Sequence, residues 1–275
     1  MEEGSVSKID PQQFLLIIGS MKSATTSLFS LLAEHPEICP SEPKEPEFFS
    51  KHQGHRKEIA RYEDLWDFDP ARHRIAMEGS TGYTKFGERG AAEAIHAYGI
   101  RPRLVYMVRN PFDRIESHYN FMRRNPDWRR PITHPDLVQT SNYYLYLKDF
   151  GAVFGPENLL LLDYDDFVRD PKQMANDVCA FAGLPEMAEI ADASARNVTE
   201  KPKSELERTL RRMAPGLVSQ SPDFVKRPLR RAMEAIRPDK TRLTSAQRQQ
   251  ITADLAPDMA RLQAEFGVDV ARWGF

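Results

Sequence analysis

The sequence predicts a three-layer α/β fold: a central parallel sheet flanked by helices, followed by a helical C-terminal part. Three observations predict it. Apolar runs at 14–18 (FLLII), 103–108 (RLVYMV) and 158–164 (NLLLLDY) are largely continuous rather than alternating, as strands buried on both faces require. Segments with helical spacing separate them, and alternating strands and helices imply parallel pairing with right-handed crossovers. After about residue 186 the strand-like runs cease, and the chain becomes helical and loop-rich to its end.

In order, FLLII stops at Gly19, and from about Thr25 the spacing of Leu28, Leu31, Leu32 and Ile38 predicts a helix running to the His35-Pro36 break. PSEPKEPEFF carries three prolines and reads as a stiff extended loop. A helix is expected at 56–67, a short strand at 75–78 and a helix over 88–98. RLVYMV ends at Arg109-Asn110-Pro111, where proline opens a helix through Phe121. Residues 141–154 read as helical. Pro171 opens a helix that continues to Phe181 and is closed by Gly183, and the last long helix opens at Thr244 or Ser245 with Pro257 marking a break or kink. Ligands of such sheets sit beyond the carboxyl ends of the strands, so the loops 19–25, 79–83 and 109–111 fall on one edge. The whole reads as one domain: a polar tail over 1–12, an α/β core over 14–185 and a helical part over 186–275.

Bulk properties narrow the function. A hydrophobic fraction of 41% with 28% charged residues is ordinary globular composition, and a net charge of −2 gives no reason to expect nucleic acid as a partner. The charge is uneven, with fourteen Lys and Arg against six Asp and Glu between Arg196 and Arg248. That excess is either a solvated set of helix faces or a rim that attracts an anion. Cys39 and Cys179 stand alone, with no paired-cysteine motif or histidine cluster, so two structural thiols and no metal site are expected. FLLII is far short of the roughly 20 apolar residues of a membrane span, and the polar start MEEGSVSKIDPQQ points to a cytoplasmic protein.

Two motifs carry chemistry. The first is Gly19-Ser20-Met21-Lys22-Ser23-Ala24-Thr25-Thr26-Ser27, which leaves a strand and opens a helix. Amides at a helix start lack partners and point along the dipole, so those of 23–27 suit a phosphate; the Thr25, Thr26 and Ser27 hydroxyls add donors and Lys22 a cation. No Gly precedes the Lys, so the loop is not the nucleoside-triphosphatase motif. Taken alone, it reads equally as a capped helix with an incidental lysine. The second is Arg109-Asn110-Pro111-Phe112-Asp113-Arg114-Ile115-Glu116-Ser117-His118-Tyr119. Here a guanidinium at a strand end suits bidentate phosphate contact, and Ser117 lies two turns along the next helix.

Together these segments resemble the sulfotransferase family, and the fold that resemblance implies is P-loop-like. IGSMKSATTSL is similar to its 5′-phosphosulfate loop and VRNPFDRIESHY to its 3′-phosphate motif. HPEICPSEPKEPEFFS, MEGSTGY, LLLLDYDDFVRDP and LQAEFGVDVARW extend the similarity to glycosaminoglycan-type and related bacterial members. The resemblance implies 3′-phosphoadenosine 5′-phosphosulfate (PAPS) as sulfonyl donor, adenosine 3′,5′-bisphosphate (PAP) as product, and no metal. The acceptor would be a small molecule or carbohydrate bearing a hydroxyl or amine. It implies Lys22 at the bridging oxygen, residues 23–27 at the 5′-phosphate and Arg109 with Ser117 at the 3′-phosphate. Glu45 is the implied general base, with Glu47, His118 and His52 as other candidates. Phe48 and Phe49 read as anchors of that loop. Tyr83, Ser80 and Glu78 would line the cleft, Glu78 equally being a buried partner for Lys22 or Arg109. Two departures stand out: Ser23-Ala24 occupy positions where relatives often have glycine, and the C-terminal donor-binding loop is represented only by Lys240 and Arg242. Competing readings are a kinase-like phosphoryl transferase and an inactive nucleotide-binding relative. Acceptor identity and oligomeric state are left open.

Overall fold

A computed structural model describes residues 9–51, 62–125, 127–187 and 240–275. It divides into two units, residues 1–194 with 242–275 and residues 195–241; the architecture below is that of the first. The strands are β1 (Phe14–Gly19), β2 (Ile38–Pro40), β3 (Ile75–Glu78), β4 (Arg103–Val108) and β5 (Leu159–Asp163). They form one parallel sheet in the order β2-β3-β1-β4-β5. The helices are α1 (Thr25–Leu32), α2 (Ala91–Tyr98), α3 (Pro111–Met122), α4 (Pro135–Val138), α5 (Tyr143–Phe154), α6 (Tyr164–Arg169), α7 (Pro171–Phe181) and α8 (Ser245–Phe266).

The continuity of the apolar runs has a direct structural cause. Phe14, Leu16 and Ile18 of β1 enter one core with Leu104, Tyr106 and Val108 of β4. Leu15, Ile17, Val105 and Met107 enter a second core on the other face. Helices α2, α5 and α8 cover the first face through Ile95, Leu147, Ile251 and Leu255; α1 and α7 cover the second through Leu28, Leu32 and Val178. Each face therefore needs its own layer, giving the three expected. β5 pairs only with β4 and is half-buried along most of its length, so the run LLLL marks a sheet edge rather than a centre.

Several boundaries differ from expectation for local reasons. Ile38–Pro40, at the head of the proline-rich stretch, pairs with β3 as an edge strand, which proline tolerates. Of the expected helix 56–67 the structure describes 62–67, where 62–65 form a 3-10 turn and Trp66 and Asp67 are irregular. Pro257 does not break α8, which runs uninterrupted from a Thr244–Gln247 capping box to Gly267. Its neighbour Asp258 instead accepts the amides of Tyr144 and Leu145, each at 3.0 Å, and so caps α5. Burial of this carboxyl pushes it up to about 6. Both cysteines are buried free thiols. Among the described residues no helix is long and apolar enough to cross a membrane.

The order of strands places β1 between β3 and β4, so the loops after these three strands share one edge. Gly19 ends β1 against side chains with no room for a Cβ: one built there would lie 2.5 Å from the Tyr106 ring and collide with Thr84 Oγ1. That hydroxyl is engaged, donating to the Ile18 carbonyl at 2.6 Å. Gly19→Ala should lower unfolding stability by about 3 kcal/mol, the upper part of the overpacking range, as read by chemical denaturation; an unchanged midpoint would contradict this packing.

Candidate active site

The loop leaving β1 is fastened to the end of β4. Ser20 donates its amide (3.0 Å) and its hydroxyl (2.8 Å) to the Met107 carbonyl, and its hydroxyl also meets that of Ser23 at 2.7 Å. Ser23 is thus fully buried, its side chain engaged and its amide donating to the Ser20 carbonyl at 3.2 Å, so the amides the loop has left for a ligand begin at Ala24. Lys22 and Ala24 adopt left-handed φ values of 73° and 61°. Such a conformation costs a side-chain-bearing residue roughly 1–2 kcal/mol and usually selects glycine. The Ser23-Ala24 departure therefore leaves a glycine-type loop geometry in place. Ala24 is also the N-cap of α1, and no side chain caps the helix. Its first-turn amides are presented as an anion cradle. Thr25 is buried, Ser27 half-buried and Thr26 exposed.

Arg109, at the end of β4, reaches across to this loop. Its Nη1 donates to the Lys22 carbonyl at 2.7 Å, its guanidinium lies 4.1 Å from the centre of the Tyr164 ring, and its own carbonyl accepts the Tyr143 hydroxyl at 2.7 Å. Its Nε is enclosed without a hydrogen-bond partner, one of four such atoms among the described residues. Asn110 caps α3 by accepting the Phe112 amide, and Pro111 starts the helix. The Lys22 Nζ sits 4.2 Å over the Phe121 ring of α3. Ser117, half-buried, lies one turn before Phe121 on the same helix face. The two motifs, distant in sequence, thus meet through a direct hydrogen bond.

The charge balance here is strained. Burial first, and then Arg124, Arg109 and Arg114, lower the Lys22 ammonium to about 8 against the opposing charge of Glu45. Uncapped amides and a depressed lysine beside a half-buried guanidinium are together what an anionic group would relieve.

The loop carrying Glu45 is held from below. Phe48 and Phe49 are buried as expected, Phe49 packing 4.6 Å from the Tyr62 ring and 5.6 Å from that of Tyr98. Glu78 is fully buried and accepts hydroxyls from Ser80 (2.6 Å), Tyr62 (2.8 Å) and Tyr83 (3.0 Å). Burial pushes its carboxyl up to about 7 against those three bonds. The hydroxyls of Ser80 and Tyr83 in turn accept the amides of Glu47 and Phe49. Glu78 therefore organises this loop and is not the partner of Lys22 or Arg109. Glu45 itself is exposed, paired with Lys44 Nζ at 2.6 Å, while Lys44 also donates to the Gly79 carbonyl. Glu47 is buried, with a left-handed φ of 46°, and pairs with Lys85 at 3.1 Å.

The remaining candidates are placed as follows. His118 is buried one turn after Arg114, whose Nη1 lies 3.4 Å from its Nδ1. Burial, Arg114, Lys22 and Lys85 together depress it to about 3, so it is neutral at physiological pH. His52 lies outside the described residues. Lys240 is exposed and belongs to the second unit. Arg242 pairs through one nitrogen with Glu116 at 2.6 Å while its side chain stays largely exposed, and Arg248 pairs with the same carboxylate at 3.0 Å. Glu116 also accepts the Leu243 amide, fastening the start of α8 to α3 beside Ser117. Glu116, Arg114 and Lys85 were not singled out from sequence, because Arg242 and Arg248, Ser141 and Leu137, and Glu47 lie far along the chain from them and no spacing announces the pairs.

A parallel sheet whose central strand runs into an uncapped helix start, with an arginine supplied by the neighbouring strand, has the layout of an α/β protein with a ligand site at its strand ends. The chain belongs to the sulfotransferase domain family, whose model matches residues 12–262. It is 23% identical to carbohydrate sulfotransferase 15 of Homo sapiens, over 70% of this chain and 47% of that protein. Over 30% of each chain it is 31% identical to cytosolic sulfotransferase 1 of Danio rerio. The chain spans about half the length of the curated carbohydrate relatives it matches. A crystal structure of a sulfotransferase from Alicyclobacillus acidocaldarius shares the fold with a TM-score of 0.69 and 22% identity, covering 98% of this chain and all of that one.

Proposed function

We propose that the chain transfers the sulfonyl group of PAPS to a hydroxyl or amine of a small-molecule or carbohydrate acceptor by in-line displacement, leaving PAP. The observation that carries this reading is the Arg109–Lys22 hydrogen bond, which sets a 5′-type and a 3′-type phosphate site within reach of one nucleotide. The amides of Ala24, Thr25 and Thr26 and the Thr25, Thr26 and Ser27 hydroxyls hold the 5′-phosphate, the Ser23 and Ser27 amides being taken by the Ser20 and Ala24 carbonyls. Arg109, through guanidinium N–H groups other than the enclosed Nε, and Ser117 hold the 3′-phosphate.

As S–O cleavage proceeds, negative charge grows on the oxygen bridging sulfur and phosphorus, and Lys22 stabilises it there. Glu45 accepts the acceptor's proton as its oxygen or nitrogen attacks; its pairing with Lys44 and its charge interaction with Lys22 support this role. The residues fit this donor without a metal, because cations of the chain supply the charge.

Calorimetry should show PAP binding in preference to AMP. Arg109→Ala should weaken PAP by about 2 kcal/mol, roughly thirtyfold, while leaving AMP nearly unaffected; equal affinity for the two nucleotides in the wild type would remove the reading. Lys22, at about 8 in the free protein, is raised by a bound phosphate. PAP affinity should therefore be flat from pH 7 to about 8 and fall by up to about tenfold per unit above it, whereas Lys22→Arg, always charged, should remove the fall. An affinity unchanged to pH 9.5 in the wild type would contradict the assignment. Glu45→Gln should bind PAP normally and lose turnover of PAPS; undiminished turnover would show that another group is the base.

A further inference from the structure

The mechanism above leaves His118 without a task, although it stands beside Lys22. Its surroundings define what it can do. Arg114 is completely buried on α3, its guanidinium donating to Ser141 Oγ at 2.7 Å, to the Leu137 carbonyl and to His118 Nδ1. A guanidinium has donors and no acceptor, so Nδ1 must carry the lone pair and the ring proton must reside on Nε2. The cations around the ring make the same demand: Lys22 from the β1–α1 loop, Lys85 from the segment after β3 and Arg114 from α3 all oppose a positive imidazole. The Glu47 carboxylate is engaged by Lys85 rather than by His118. Nε2 has no protein partner, yet it is absent from the four enclosed, unpartnered side-chain atoms, so the slight exposure of His118 opens at this atom.

We propose that His118 donates its Nε2–H to an oxygen of the sulfonyl group in transfer, and that Arg114 fixes the tautomer that makes the donation available. The inference rests on the sulfonyl-transfer reading for its ligand, while the tautomer follows from Arg114 alone. A neutral donor beside Lys22 adds a hydrogen bond at a group whose oxygens hold charge throughout transfer, with no proton changing hands. It also removes His118 from the candidate bases, since its only lone pair faces a guanidinium.

Two measurements test this. In 15N-histidine-labelled protein, with His118 assigned by comparison with His118→Gln, two-bond 1H–15N spectra should show a neutral, Nε2-protonated ring from pH 5 to 8. An Nδ1-protonated ring, or a cation forming within that range, overturns the proposal. In single-turnover conversion of PAPS to PAP with water as acceptor, His118→Gln keeps an N–H donor at the reach of Nε2 and should retain activity within about tenfold. His118→Leu should lose about a hundredfold or more, with PAP affinity unchanged in both. Gln as impaired as Leu, or Leu as active as wild type, overturns it. Failure of the sulfonyl-transfer reading itself would appear separately, as a wild type that does not prefer PAP to AMP.

Discussion

The hydrogen bond from Arg109 to the Lys22 carbonyl joins the ends of two adjacent strands, and the geometry of the site follows from it. β1 and β4 are neighbours because their apolar side chains divide between two cores, and that division fixes where each strand ends. Gly19 pairs with Tyr106, so β4 runs on past the end of β1 and Arg109 leaves the sheet within reach of Lys22. Ser20 reinforces the junction by giving two hydrogen bonds to Met107. A loop pinned in this way can hold Lys22 and Ala24 in left-handed conformations that side chains disfavour, because the surrounding bonds over-determine it.

Pinning the loop also concentrates positive charge. Burial, reinforced by Arg124, Arg109 and Arg114, depresses Lys22, and His118 among them is held neutral by burial and by Arg114, Lys22 and Lys85. Water alone compensates such an arrangement poorly, because the groups are partly or wholly buried. An anion placed among them is stabilised without reorganisation of the protein, which is the physical meaning of preorganisation at a transfer site. On the opposite wall the acidic residues are handled differently. Glu78 is given three hydroxyl donors and used to brace a loop, Glu47 is given Lys85, and Glu45 is left exposed beside Lys44.

Much of this was legible in the sequence because it depends on local pattern. The strands at 75–78 and 103–108 and the helix at 171–181 agree with expectation residue for residue, since apolar continuity and a leading proline are strong signals. The strand Ile38–Pro40 and the helix Tyr164–Arg169 were missed because each is short and has little periodicity of its own. The second omission matters, since that helix supplies the ring beneath Arg109. Pro257 was read as a break, yet the core contacts of Leu255, Met259 and Leu262 carry the helix across it. What spacing did not announce are the long-range polar pairs. Glu78 with Tyr62, Arg114 with Leu137, and Glu116 with Arg242 and Arg248 each depend on elements brought together only by the fold.

The central claim is that two strand ends grip opposite phosphates of one adenosine nucleotide. A crystal structure of the protein with PAP tests it most directly. The account predicts the 5′-phosphate on the backbone of 24–26 with Lys22 beside it, and the 3′-phosphate against Arg109 and Ser117. A bound nucleotide whose 3′-phosphate lies in solvent, away from both, would contradict it.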